Sequence, residues 1–135
     1  MTFLDLKGRK KSKSLSKYLA DWNGGTRSKG QTALKRFLYR YWSSDIVCEE
    51  FPLVGSRMTF DIINLSKKIA IEFDGAAHHK FIPHFHGSRV SKFLGQIKRD
   101  LQKEDWCELN NFCLVRINSE KELTYDFFLS KGVEL

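Results

Sequence analysis

The sequence predicts a single α/β domain, a central mixed β-sheet flanked by helices in the order α-β-β-β-α-β-α, and three observations carry that expectation. Ala33, Leu34, Phe37, Leu38, Tyr41 and Trp42 recur at helical spacing. IVCEEF, RMTFDIINL and KKIAIEF are short β-rich runs parted by Pro52, Gly55, Ser66 and Lys67. A second helical period, Phe93, Leu94, Ile97, Leu101, Trp106 and Leu109, precedes the apolar run CLVRI. A chain of 135 residues accommodates one hydrophobic core and hence one active site or one binding face.

Taken in order, residues 1–14 hold five Lys/Arg and few apolar side chains, and read as a mobile basic arm or a loosely docked extension ahead of a domain over 15–135. LSKYLADW reads as a short helix stopped by Asn23-Gly24-Gly25. The helix from Ser28 carries Lys35, Arg36 and Arg40 beside its apolar stripe. The three β runs are spaced for an antiparallel meander. Residues 76–88, with all four histidines and Pro83, read as a loop; a helix over Val90–Asn110 ends at Asn110-Asn111, CLVRI is a buried strand, and ELTYDFFL a closing helix.

Composition excludes several classes. The balance of 41% hydrophobic and 29% charged residues is that of a folded globular chain. No run approaches the roughly 20 apolar residues of a membrane span, and the N-terminus has no apolar signal core, so a non-membrane, cytoplasmic protein of a bacterial host or phage is expected. Cys48, Cys107 and Cys113 are odd in number and lack CxxC spacing, which argues against a disulfide framework or a cysteine zinc site. Of the net charge of +7, residues 1–42 carry +9 and the remainder −2. Such a basic third fits a polyanion partner, because Lys and Arg displace counterions from a phosphate backbone. A solvated tail that serves solubility is the plainer alternative.

Chemistry concentrates on two strand carboxylates. Asp61 interrupts MTFDII, and Glu72 interrupts IAIEF eleven residues later. Ionised carboxylates are costly to desolvate inside strands. Paired as a hairpin, the two strands bring both acids to one end of the sheet, where they can share a Mg²⁺ that keeps several waters and accepts phosphate oxygens. The competing reading places both on a solvated sheet face, since strict alternation sets Asp61 opposite Phe60 and Ile62. The continuation Glu72-Phe73-Asp74-Gly75-Ala76-Ala77-His78-His79 carries more polar chemistry than a strand end needs. The histidines at 78, 79, 84 and 86 also admit a zinc site, without a nearby cysteine, or plain surface imidazoles.

Phe60-Asp61-Ile62-Ile63, Ile71-Glu72-Phe73-Asp74-Gly75-Ala76-Ala77-His78, Lys98-Arg99-Asp100-Leu101-Gln102-Lys103, Trp106-Cys107, Asn110-Asn111 and Leu114-Val115-Arg116-Ile117 together resemble the PD-(D/E)XK nuclease superfamily. Within it they are similar to very-short-patch-repair endonucleases and to the EDxHD phage homing endonucleases, over roughly residues 28–118. The resemblance implies a restriction-endonuclease-like three-layer core and Mg²⁺-dependent (or Mn²⁺-dependent) hydrolysis of DNA. It makes Asp61 and Glu72 the metal-binding acids, with Asp74 beside them, and gives His78 or His79 the family histidine's place. Asp100 matches the acid of the following helix, and Lys103, one turn later, supplies a cation. Two departures stand out: Asp74 occupies the usual lysine position, and Ser28-Lys29-Gly30-Gln31 has Gln31 where phage relatives carry glutamate.

The expected partner is double-stranded DNA, with a homodimer as an option and Arg9, Lys10, Lys11, Lys13, Lys17, Arg27 and Lys29 as phosphate contacts. Tyr18 and Trp22 are the aromatics placed to touch DNA, the others being read as core. A homing endonuclease is the leading biological expectation. A DNA-binding protein of the same fold with impaired catalysis, favoured by Gln31, and a Holliday-junction resolvase are the alternatives.

Overall fold

The computed structural model describes residues 1–25, 28–74 and 87–135, the side chains of 87–89 excepted. A hairpin, β1 (Thr2–Leu4) and β2 (Lys10–Ser12), precedes helix α1 (Lys29–Trp42). Strands β3 (Val47–Pro52), β4 (Thr59–Asn64) and β5 (Ile69–Phe73) follow, then α2 (Gly87–Leu109), β6 (Cys113–Ile117), a 3₁₀ turn (Glu120–Glu122) and α3 (Tyr125–Ser130). The main sheet has the order β3-β4-β5-β6; the first three strands are antiparallel neighbours, and β6 joins β5 in parallel. This is one α/β domain with a mixed sheet and helices on both faces.

Local chemistry accounts for the elements. Ser28 caps α1, its hydroxyl accepting from the Gln31 amide at 3.1 Å, and Thr124 caps α3 in the same way at 3.1 Å. Lys68 and Asn111 take left-handed turns, φ 58° and 61°, leading into β5 and β6. On one face of the sheet, Leu34, Leu38 and Trp42 of α1 and Phe128 of α3 bury against Ile62, Ile69, Ile71 and Val115. On the other, Trp106 and Cys107 of α2 join Phe3, Cys48, Phe51, Phe60, Ile63 and Ala70. Cys48 and Cys107 are buried free thiols and Cys113 an exposed one.

Two sequence expectations need correction. Of the two readings of residues 1–14, the mobile arm gives way to the docked extension, which is held more firmly than expected: Phe3 is 3% exposed against Phe51 and Trp106. Asn110 clamps Leu4 from both sides, accepting from its amide at 2.7 Å and donating to its carbonyl at 2.9 Å. Nor does LSKYLADW form a helix. It runs along the free edge of β3, where Glu49 N donates to Tyr18 O at 2.8 Å and Ala20 N to Val47 O at 2.9 Å. An edge strand offers unpaired backbone groups, and satisfying them outweighs a weak helical period.

Among the described residues no helix is long and apolar enough to cross a membrane.

Candidate functional site

The β4–β5 ladder runs Asn64↔Ile69, Ile63↔Ala70, Ile62↔Ile71 and stops there, one step short of Asp61 and Glu72. Beyond that step the side chains replace the ladder. Phe73 N donates to Asp61 Oδ2 at 2.7 Å, and Asp61 N donates to Glu72 Oε2 at 3.3 Å. The β3–β4 ladder is interrupted at the same level, pairing Glu49↔Ile62 and Phe51↔Phe60 but skipping Glu50 and Asp61. Glu50 there adopts φ 49°, a left-handed conformation uncommon for a non-glycine residue.

This break changes which residues face which way. Strict alternation would put Phe60 and Ile62 on one face, yet Phe60 packs with the α2 cluster and Ile62 with the α1 cluster. Cys48 and Phe51, three apart, likewise share a face. The solvated-face reading of Asp61 rests on alternation that does not hold at this residue.

Around the break lies a cleft of about 370 Å³ lined by residues including Gln31, Glu50, Asp61, Glu72, Asp74 and Lys103. Glu72 is 3% exposed and paired with the Lys103 ammonium. Burial pushes the Asp61 carboxyl above its ordinary range; the Phe73 amide opposes that, and the negative charge of Glu50 adds to it. Burial pulls the Lys103 ammonium below the usual lysine range, with Asp61 pulling it back up. Gln31 Nε2 donates to Glu50 Oε1 at 3.1 Å and Thr59 Oγ1 to Glu50 Oε2 at 3.3 Å, which fixes this third carboxylate beside Asp61.

Helix α1 reaches this point because residue 30 is glycine. A Cβ there would lie 2.3 Å from the Phe73 ring, far inside contact distance, so only glycine lets the helix start against the end of β5.

The expected acids do not all converge. Asp74 lines the cleft but pairs with Arg116 at 3.3 Å. Asp100 is 3.4 Å from the same guanidinium and accepts from Gln96 at 2.9 Å. Arg116, beside Glu72 in the β5–β6 ladder, thus gathers the outer acids. His78, His79, His84, His86 and Arg27 lie outside the described residues.

Among the proposed phosphate contacts, Lys10, Lys11, Lys17 and Lys29 are exposed. Arg9 pairs with Asp5 at 3.1 Å, and Lys13 sits over the Tyr18 ring at 5.5 Å. Tyr18 itself packs edge-on against Phe51 at 5.4 Å, and Trp22 against Tyr39 at 5.9 Å.

Sequence reasoning missed Glu50, Arg57, Arg99 and Arg116. Arg57 and Arg99 line the cleft and are exposed. Arg57 offers only basic character near the acids and Arg99 its place in the Lys98–Lys103 stretch; Glu50 has no signal, since its place depends on the φ 49° backbone.

Among the described residues no three His, Cys, Asp or Glu side chains converge as a ready-made metal cage. A Mg²⁺ site does not require one, because that ion keeps several waters and takes one or two carboxylates.

No family model matches the chain, and no solved structure matches it. A stretch of 60 residues, 44% of this chain, is 37% identical to the uncharacterized protein 307L of Invertebrate iridescent virus 6. That stretch spans 30% of the relative's length.

Proposed function

We propose that the protein is a Mg²⁺-dependent DNA endonuclease of the restriction-endonuclease-like kind. One observation carries the reading: Asp61 and Glu72, from adjacent strands, meet where both ladders of β4 open, in a cleft that also holds Lys103, Arg57 and Arg99. Carboxylates at the floor and cations around them suit a phosphodiester, whose charge the cations attract and whose metal the acids hold. Asp61 and Glu72 provide hard oxygen donors, and Glu50 stands ready as a third. Bound there, Mg²⁺ or Mn²⁺ supplies Lewis-acid stabilisation of the scissile phosphate and a more acidic water. Lys103 holds its ammonium at Glu72, the role of the lysine that Asp74 displaces from the family position. Glu50, held by Gln31, returns to the cleft the negative charge that glutamine at 31 takes away. That arrangement favours an active enzyme over a binding protein with impaired catalysis.

The test is incubation of the full chain with linear duplex, single-stranded and four-way-junction DNA, with Mg²⁺, Mn²⁺ or a chelator. Metal-dependent cleavage is expected, abolished by Asp61→Asn and by Glu72→Gln while DNA binding persists, each assayed at a temperature where the variant stays folded, since Glu72→Gln strands the Lys103 ammonium. Cleavage confined to junctions would make the enzyme a resolvase. No cleavage of any form, or near-normal turnover by both variants, overturns the reading.

A further inference from the structure

Helix α2 carries an apolar seam that nothing in the described chain covers. Leu94, Ile97 and Leu101 are 58%, 41% and 53% exposed, and with half-buried Val90 they recur at steps of four, three and four residues, the spacing of a two-helix seam. From Val90 to Asp105 no described side chain is buried; the helix enters the core only at Trp106 and Cys107. That is roughly 24 Å of helix at 1.5 Å per residue. Its inner stripe, Gln96, Asp100 and Lys103, makes polar contacts at the cleft and with its neighbours. The exposed Leu94, Ile97 and Leu101 leave a face of α2 open to packing, and most helical stability comes from packing an amphipathic face.

The charges say what the partner is. Residues 87–99 contain Arg89, Lys92, Lys98 and Arg99 and no acid, whereas 100–109 contain four acids, Asp100, Glu104, Asp105 and Glu108, and one base, Lys103. The two halves of the helix are therefore opposite in sign. Laid antiparallel on a copy of itself, the basic half meets the acidic half twice; laid parallel, like charge meets like.

We infer that α2 pairs antiparallel with α2 of a second copy of this chain, about a two-fold axis passing beside Ile97, with Leu94 packed on the partner's Leu101. The pairing is isologous and closes on itself. It does not depend on the cleft having nuclease activity. Because Gln96, Arg99 and Lys103 line the cleft on the adjoining stripe of the helix, the pairing also sets two clefts beside one axis.

Sedimentation of the full chain is expected to give twice the 15.8 kDa chain mass. Ile97→Glu, which brings two like charges together at the axis, is expected to give the chain mass, with the cooperative thermal transition kept and the helical circular dichroism signal falling by no more than the unpaired part of α2 contributes. Orientation is read by disulfide trapping in a Cys113→Ser background with Leu94→Cys and Leu101→Cys. Mixed, the two variants are expected to crosslink, whereas either alone does not. In the antiparallel pair identical positions stand roughly 10 Å apart along the axis, beyond the about 7 Å limit for a disulfide. Crosslinking by each variant alone means a parallel pair and overturns the inference. A wild-type chain that stays at the chain mass at high concentration overturns it too, whether another part of the chain or DNA covers the seam.

Discussion

Removing the Lys103 ammonium tests how the cleft is held together and whether it takes a cation. Lys103 and Glu72 side chains are 17% and 4% exposed, so their pair is largely desolvated. Lys103→Met keeps most of the stem's packing and leaves Glu72 charged and unpartnered. Breaking a buried pair on one side costs about 3–5 kcal/mol. For a domain of this size each kcal/mol lowers Tm by about 3–5 °C, so a fall of about 10–20 °C is expected. Lys103→Met with Glu72→Leu removes both charges and should recover nearly all of that loss.

Magnesium separates the structural role from the functional one. If Glu72 and Asp61 hold the ion, Mg²⁺ at 100 times its Kd restores about 2.7 kcal/mol to the single variant. The double variant, without Glu72, should gain much less. Calorimetry across a Mg²⁺ titration of the wild type and both variants reads all of this. A loss under about 1 kcal/mol in Lys103→Met, or a double variant as unstable as the single, refutes the claim that the pair holds the site. Equal Mg²⁺ gains in both variants refute ligation by Glu72.

Four further outcomes follow from particular contacts. Gly30→Ala should destabilise by about 1–3 kcal/mol from overpacking on Phe73, less about 1 kcal/mol of helix propensity. With Phe73→Ala the same change should become neutral or stabilising in urea denaturation. Asp61 is a carboxyl raised by burial, so its ionisation opposes folding: stability is fullest below the unfolded value of 3.8 and is lost as pH rises through the folded value. Asp61→Asn should therefore be more stable than wild type at pH 7, with the gain vanishing in acid, as thermal melts across pH will show. Asn110→Ala should cost about 1–3 kcal/mol by orphaning both Leu4 groups, seen as hydrogen exchange in β1 and β2 while the main sheet stays protected. Neutralising Lys10 and Lys11 together should lower the slope of log K against log salt for DNA by roughly 2, at about 0.9 per phosphate contact.

The main sheet was legible because its signals are local: Pro52, Gly55, Ser66 and Lys67 part the β runs, and each run pairs with its successor. What failed to show was non-local. Leu15, Tyr18, Leu19 and Trp22 mimic a helical period, but the edge of β3, nearly thirty residues on, supplies backbone partners to Tyr18 and Ala20. Phe3 hides among lysines and an arginine, and its reason for burial is Trp106, at the far end of α2. Asp61 and Glu72 stood out because carboxylates inside apolar runs are conspicuous. Glu50 did not, since Glu49-Glu50 reads as an ordinary polar pair on a strand. Arg116 looked like one alternating residue of CLVRI, and its grip on Asp74 and Asp100 requires the parallel register with β5.

The clamp between Asn110 and Leu4 joins positions 106 residues apart. On a ribosome adding about 5–20 residues per second, roughly 5–20 s separate the synthesis of the two. Throughout that interval the first strand has been made but has no Trp106 to shelter Phe3 and no amide to grip its backbone. Docking of the β1–β2 hairpin therefore waits for Trp106 and Asn110, and reports that α2 has emerged. Protection of the β1–β2 hairpin during translation should appear abruptly and late, a timestamp for the arrival of α2.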